Sequence, residues 1–220
     1  MPLKYVDAPI ANGQALSDVV GFGEDFVPAI TLTQPQANVY RAGMPRIRGG
    51  GGYRFRALCA GRRSGKTSLM IHEILSRSRR PRDFGIYSIK PKIWYIAPTY
   101  GQAKELVWEP LVDIVSSWAR KINESRLKFK FPNGVTLALR GADYAKTLRG
   151  SGLDFVAVDE FADIRNGKHT WEEVIRPMLS DRMGGALIGG TPRGRNHFYE
   201  LWKAAGHTPK WINFQWTSSV

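Results

Sequence analysis

The stretch "RALCAGRRSGKTSLM", residues 56–70, decides how the remainder of the chain is read. It closes on Gly65-Lys66-Thr67, the end of the phosphate-loop pattern G-x-x-x-x-G-K-[ST], after an apolar run and before a helix-forming one. In such a loop the backbone N–H groups of Gly61, Arg62, Arg63, Ser64 and Gly65 converge on phosphate oxygens. Lys66 supplies a charge that reaches the β- and γ-phosphates, and Thr67 offers a hydroxyl to Mg²⁺. The helix that follows adds the positive end of its dipole. The first glycine of the pattern is replaced by Ala60. Glycine there eases the turn out of the strand. Alanine is the smallest substitute and Gly61 stands beside it, so the loop is expected to work provided residue 60 does not need a positive φ.

Two further motifs extend the reading. "FVAVDE" runs four apolar residues into Asp159-Glu160. Two acids at the end of a buried strand are costly unless a cation neutralises them. Asp159 suits a magnesium shell and Glu160 suits polarising an attacking water. A glutamate after the aspartate favours ATP hydrolysis over small-molecule phosphorylation, which needs no activated water. The third motif, "LIGGTPRGRNHF", ends a short strand in Gly189-Gly190 and presents Thr191, a hydroxyl placed to sense the γ-phosphate.

Composition sets the outer limits. The chain has 220 residues, 43% hydrophobic and 23% charged, which is globular composition and enough for one sizeable core. The single cysteine, Cys59, excludes an intrachain disulfide, and scattered histidines argue no zinc site. No run is long and apolar enough to span a bilayer and the N-terminus lacks a signal-peptide profile, so an intracellular setting is expected. Net charge is +13; residues 41–82 carry twelve Lys or Arg and one acid, Glu73. A field of that sign attracts polyanions, nucleic acid foremost.

Along the chain, residues 1–28 read as an N-terminal arm and 29–220 as one domain. "TLTQPQANVYRAG" (31–43) predicts a short helix capped by Thr33 with Pro35 in its first turn. Strands are expected over "YRFRALCA", "KIWYIAPT", "LDFVAVDE", "GGALIGG" and "KWINFQWT", alternating with helices over 65–80, from Gln102 to about Lys121 interrupted or re-started at Pro110, over "TWEEVIRPML" with a bend or a break at Pro177, and over "NHFYELWKAAG". Asn133-Gly134 between alternating runs predicts a β-hairpin. The tryptophans and Tyr95 are expected to pack in the core. The fold class is therefore α/β, a mostly parallel central sheet flanked by helices plus a hairpin.

Together the three motifs resemble the large terminase subunit of tailed bacteriophages over roughly residues 30–217, through "AGRRSGKT", "IAPTYGQAKELVWEPL", "LRGSGLDFVAVDEFAD" and "GGTPRGRNHFYELW". The resemblance implies an ASCE-type P-loop NTPase, ATP and Mg²⁺ as ligands, and a motor translocating double-stranded viral DNA into a capsid. It implies phosphate and metal contacts for Lys66, Thr67 and Asp159, water activation by Glu160 and a coupling role for Thr191. Arg149 in "TLRGSG" would reach a neighbouring subunit's ATP; one of Arg62 and Arg63 would sense phosphate in cis; Gln36 would read adenine. A homo-oligomeric ring, the portal, the small terminase subunit and the host cytoplasm come with the family. After Asp181 the only acid is Glu200, so no two-metal nuclease domain is expected here. The alternatives are a helicase-like ATPase, which needs a second motor lobe, and a non-catalytic DNA-binding phosphate loop, which the Asp159-Glu160 pair opposes.

Overall fold

Strands form where the sequence is apolar on both faces or alternates: Phe55–Ala60 (β1), Lys92–Ala97 (β2), Lys121–Asn123 (β3), Lys128–Lys130 (β4), Thr136–Gly141 (β5), Phe155–Val158 (β6), Gly185–Gly190 (β7) and Trp211–Trp216 (β8). The computed structural model describes residues 32–143 and 152–217; the expected arm at 1–28 and Arg149 lie outside them. The strands form one sheet in the order β3-β4-β5-β2-β6-β7-β1-β8. The six from β5 to β8 are mutually parallel, and β4 and β3 extend one edge antiparallel. The hairpin turns at Asn133-Gly134 as expected, Gly134 taking φ +85°. The helix expected to run to about Lys121 ends at Val115, and β3 begins at Lys121.

Side-chain alternation divides the core between the two sheet faces. Leu58, Tyr95, Phe155 and Leu187 face a cluster built with Gln34–Ala42 (α1), Lys66–Arg79 (α2), Tyr100–Ala103 (α3) and Glu109–Val115 (α4). Trp94, Ile96, Val156, Val158 and Ile188 face a second cluster, with residues of Arg176–Ser180 (α6) and His197–Ala205 (α7), the brief turn Gly167–His169 (α5) lying beside them. α1 starts where the sequence places it: Thr33 is extended and its N–H donates to Gln36 Oε1 at 2.7 Å, half of a capping box.

The two internal prolines do something other than break their helices. A π turn over Lys104–Trp108 precedes Pro110, and another over Thr170–Ile175 precedes Pro177. A helical proline lacks an N–H and presses on the carbonyl four residues back. That carbonyl belongs to Leu106 in one case and Glu173 in the other, each inside its π turn. Widening the ladder there absorbs the proline without ending the helix.

One polar cluster lies inside the first core. Arg56 of β1 is fully buried and meets Glu73 with two hydrogen bonds, 2.9 and 2.7 Å. Arg77, one helical turn after Glu73, donates to the same carboxylate at 2.6 Å. Spare guanidinium protons go to α1 and its end: Arg56 to Val39 O at 2.9 Å, Arg77 to Gly43 O at 3.2 Å. Burial alone would raise the Glu73 carboxyl; the two guanidiniums outweigh it and hold it below its usual range. Part of the basic bias of residues 41–82 is therefore internal rather than a surface field, and Arg54 likewise donates to the carbonyls of Gly184 and Leu179.

Glu73→Ala leaves two buried cations facing no anion, a change expected to cost about 3–5 kcal/mol in urea unfolding. Because the folded-state carboxyl is depressed, its stabilisation is present above the usual carboxylate range and fades as pH falls below it. The acid-induced fall in stability of wild type is thus expected to flatten in this variant.

Candidate active site

The parallel order puts the C-terminal ends of β1, β7 and β6 side by side, and each strand runs directly into one motif. β1 ends at Ala60, which is extended and absent from the positive-φ residues; the left-handed positions of the loop are Arg63 (φ +57°) and Gly65 (φ +76°). Position 60 thus belongs to the strand, and alanine is accommodated there without strain. Gly65 is constrained twice, since a Cβ there would strain the backbone and collide with the Gln36 amide.

The loop and the acidic pair meet. Thr67 Oγ1 donates to Asp159 Oδ2 at 2.6 Å. Lys66 Nζ donates to the carbonyls of Ala60 at 3.1 Å and Gly61 at 2.9 Å and to Thr191 Oγ1 at 3.2 Å, with Glu160 Oε1 at 3.5 Å. Thr191 donates to Glu160 through both its N–H, at 3.1 Å, and its hydroxyl, at 3.0 Å. Residues from three separate motifs therefore share one hydrogen-bonded group. Glu160 takes a left-handed conformation, φ +43°, unusual for a non-glycine residue, and this turns the chain sharply after Asp159.

Asp159 is 4% exposed and pairs with no cation among the described residues. Burial pushes its carboxyl up, against the hydrogen bonds from Thr67 and Tyr95 and the Glu160 N–H. Tyr95, from β2, donates to Asp159 Oδ2 at 2.8 Å. A buried carboxylate beside a threonine hydroxyl, lacking a countercharge, has the donor set that a hard divalent cation fits. In the loop, the buried Ser64 Oγ has no hydrogen-bond partner. Arg62 and Arg63 are exposed.

Gln36 reaches the loop from α1: its Nε2 donates to Gly65 O at 2.9 Å while its Oε1 accepts from Thr33. Beyond Thr191, Arg193 pairs with Asp163 at 2.8 Å and His197 Nε2 lies 2.8 Å from Phe161 O, fastening this segment to the turn after Glu160. Neither these contacts nor the hydroxyl of Tyr95 could be singled out in the sequence. Tyr95 in "KIWYIAPT" carries no mark separating it from a core aromatic, because its ring is core and only its hydroxyl serves the site.

A phosphate loop between an interior parallel strand and its helix, facing an acidic pair on a nearby strand tip, defines the P-loop NTPase class. The comparisons narrow it. The family described as "Terminase large subunit, T4likevirus-type, N-terminal" matches residues 57–217. This chain belongs to that family. The large terminase subunit of Thermus virus P23-45 is 34% identical over 168 residues, 66% of this chain and 32% of that protein. The chain thus spans about a third of the length of the curated relatives it matches. The large terminase ATPase domain of Thermus phage P74-26 superposes with a TM-score of 0.67 at 25% identity, covering 92% of this chain and 84% of that domain. A large terminase from a thermophilic bacteriophage, solved in complex with ATP-gamma-S, shares the fold with a TM-score of 0.62 at 14% identity, over 84% of this chain and 44% of that one.

Restoring the glycine of the pattern is expected to gain nothing. Ala60→Gly should leave nucleotide affinity within twofold by fluorescent-analogue titration, while lowering stability by about 0.5–1 kcal/mol, the cost of glycine inside a strand.

Proposed function

We propose that this chain is the ATP-hydrolysing motor part of a phage DNA-packaging terminase, acting on double-stranded DNA. The observation that carries this is the convergence of Lys66, Thr67, Asp159, Glu160 and Thr191 within hydrogen-bonding reach across three strand ends. Family membership and the ATPase-domain relative support the same reading.

The residues divide the work. The loop N–H groups from Gly61 to Gly65 and the Lys66 ammonium receive the β- and γ-phosphates, and Ser64 Oγ is an available partner there. Thr67 and Asp159 would hold Mg²⁺, which when bound neutralises charge on the phosphate oxygens. Glu160 takes the proton of a water whose oxygen attacks the γ-phosphorus, while the bond to the bridging oxygen of ADP breaks. Thr191 donates to Glu160, so the group that handles the water is linked to the strand-end segment that continues into α7. Gain or loss of a γ-phosphate changes what Lys66 and Glu160 bond to, and Thr191 passes that change to the segment beyond β7. The passive alternative, a loop that only grips DNA backbone, places a buried carboxylate where phosphate would have to sit.

Arg149 is assigned to a neighbouring subunit's phosphates in a ring, where a guanidinium stabilises charge on the transferring group. The portal, the small terminase subunit and the host cytoplasm are the partners and place that fit such a motor. Among the described residues no helix is long and apolar enough to cross a membrane.

Mg²⁺-dependent ATP hydrolysis is expected to disappear in Lys66→Ala with loss of ATP binding. In Glu160→Ala it is expected to fall about 10²- to 10⁴-fold with ATP binding retained; normal turnover by that variant would remove Glu160 from the mechanism. Arg149→Ala should be inactive alone and partly rescued by mixing with Lys66→Ala protein, each variant lending the other its intact half of an interfacial site. Absence of rescue under assembling conditions would count against action in trans.

A further inference from the structure

One face of the β3-β4-β5-β2 end of the sheet is cationic. Paired residues share a face, so the register lines up Lys121, Lys130, Thr136 and Lys92 in one row and Asn123, Lys128, Ala138 and Trp94 in the next, with Arg140 following on β5. The other face of the same strands carries Phe129, Leu137, Leu139, Ile93 and Tyr95, all in the core beneath α2 to α4. One face is apolar throughout; on the other, Trp94 and Ala138 are buried with the second core cluster and the cations lie around them.

Acids do not answer these cations among the described residues. Among the described residues, none of Lys92, Lys121, Arg126, Lys128, Lys130 and Arg140 forms an ion pair with an acid. Lys121, Arg126 and Lys130 are exposed, and Lys92, Lys128 and Arg140 are half-buried. Arg140 lies over the Trp94 ring at 5.4 Å and donates to the carbonyls of Arg126 at 3.1 Å and Leu139 at 3.0 Å. Burial, then the like charges of Lys130, Arg140, Lys92 and Arg126, hold the Lys128 ammonium below its usual range. Like charges packed this closely oppose folding, and a single-sign field of this kind is useful when an opposite charge arrives.

We propose that this sheet face is where the protein grips duplex DNA, through phosphates and without reading bases. Four strands about 4.8 Å apart make a cationic band about 14 Å wide. A duplex presents one negative charge per about 1.7 Å of its axis, so several phosphates fall within that band at once. The arginines around the loop between α2 and β2 are the competing patch, but Arg48 there is tied to Asp83 at 3.0 Å. The face stands on β5 and β2, and β2 places Tyr95 on Asp159, so the same strands carry the grip and support the metal side of the site. The choice of DNA as the polyanion rests on the motor reading; the cationic face does not.

The test uses the 220-residue chain, a labelled random-sequence duplex and fluorescence anisotropy between about 50 and 200 mM salt. Lys128→Gln/Lys130→Gln is expected to bind on the order of tenfold more weakly at about 100 mM salt, with the log–log salt slope reduced by about 2. Arg82→Gln/Lys203→Gln removes equal charge from exposed sites elsewhere and should bind as wild type. ATPase activity without DNA should be unchanged in both, which also reports folding. Wild-type affinity and slope in the Lys128/Lys130 variant overturns the proposal, as does an equal loss in the control pair, which would reduce the effect to net charge. DNA binding through this face without ATP hydrolysis would instead sink the motor reading and leave the face standing.

Discussion

The whole site depends on a constraint of parallel sheets: neighbouring strands release their chains at the same edge. β6, β7 and β1 are adjacent, so Asp159-Glu160, Thr191 and the phosphate loop emerge within a few ångströms of one another although they are far apart in sequence. Had one of the three run the other way, its motif would lie at the opposite edge of the sheet. The 2.6 Å bond from Thr67 to Asp159 is the closest expression of that constraint. It is made between the first turn of α2 and the tip of β6, and the backbone N–H of Asp159 is held by Ile96 O of β2 at 2.8 Å. The acid is thus positioned by the sheet rather than by a loop, which is the more exact of the two supports.

Much of this was legible in the residues. The hairpin followed from Asn133-Gly134, α1 from Thr33 and Pro35, and the sheet from apolar runs separated by helical periods. The meeting of Lys66 with the acidic pair followed from motifs whose spacing only makes sense around one ligand. What was illegible depended on tertiary context. Pro110 and Pro177 signal a disturbed helix, but whether it breaks or widens depends on what packs around it. The resemblance implies an adenine-reading role for Gln36 but gives no sign that its amide also bonds Thr33 and Gly65. Arg56 inside an apolar strand was the one available sign of a buried ion cluster, and a count of charges along the chain conceals it.

Charge in this chain consequently has two destinations. Arg56, Arg77 and Lys66 are buried and committed to a carboxylate or to the phosphate loop. The sheet face of β3 to β5 and β2 collects cations that no acid among the described residues pairs with. Net charge is the same number in both cases, yet the first is part of folding and the second is left for an encounter. The alternation of strand residues sorts them: in β4, Lys128 and Lys130 flank Phe129, so one side of a three-residue strand enters the core and the other stays outside.

α1 is short and carries none of the three motifs, yet it has a mechanical place in the molecule. Gln36 ties its start to Gly65, Arg56 grasps Val39 near its middle, and Arg77 holds Gly43 just past its end. Three rivets along one short helix make it a backing plate for the phosphate loop. The loop's stiffness is therefore borrowed from a segment well upstream of it, and peeling that plate away would slacken the nucleotide cradle while every residue of the cradle remained in place.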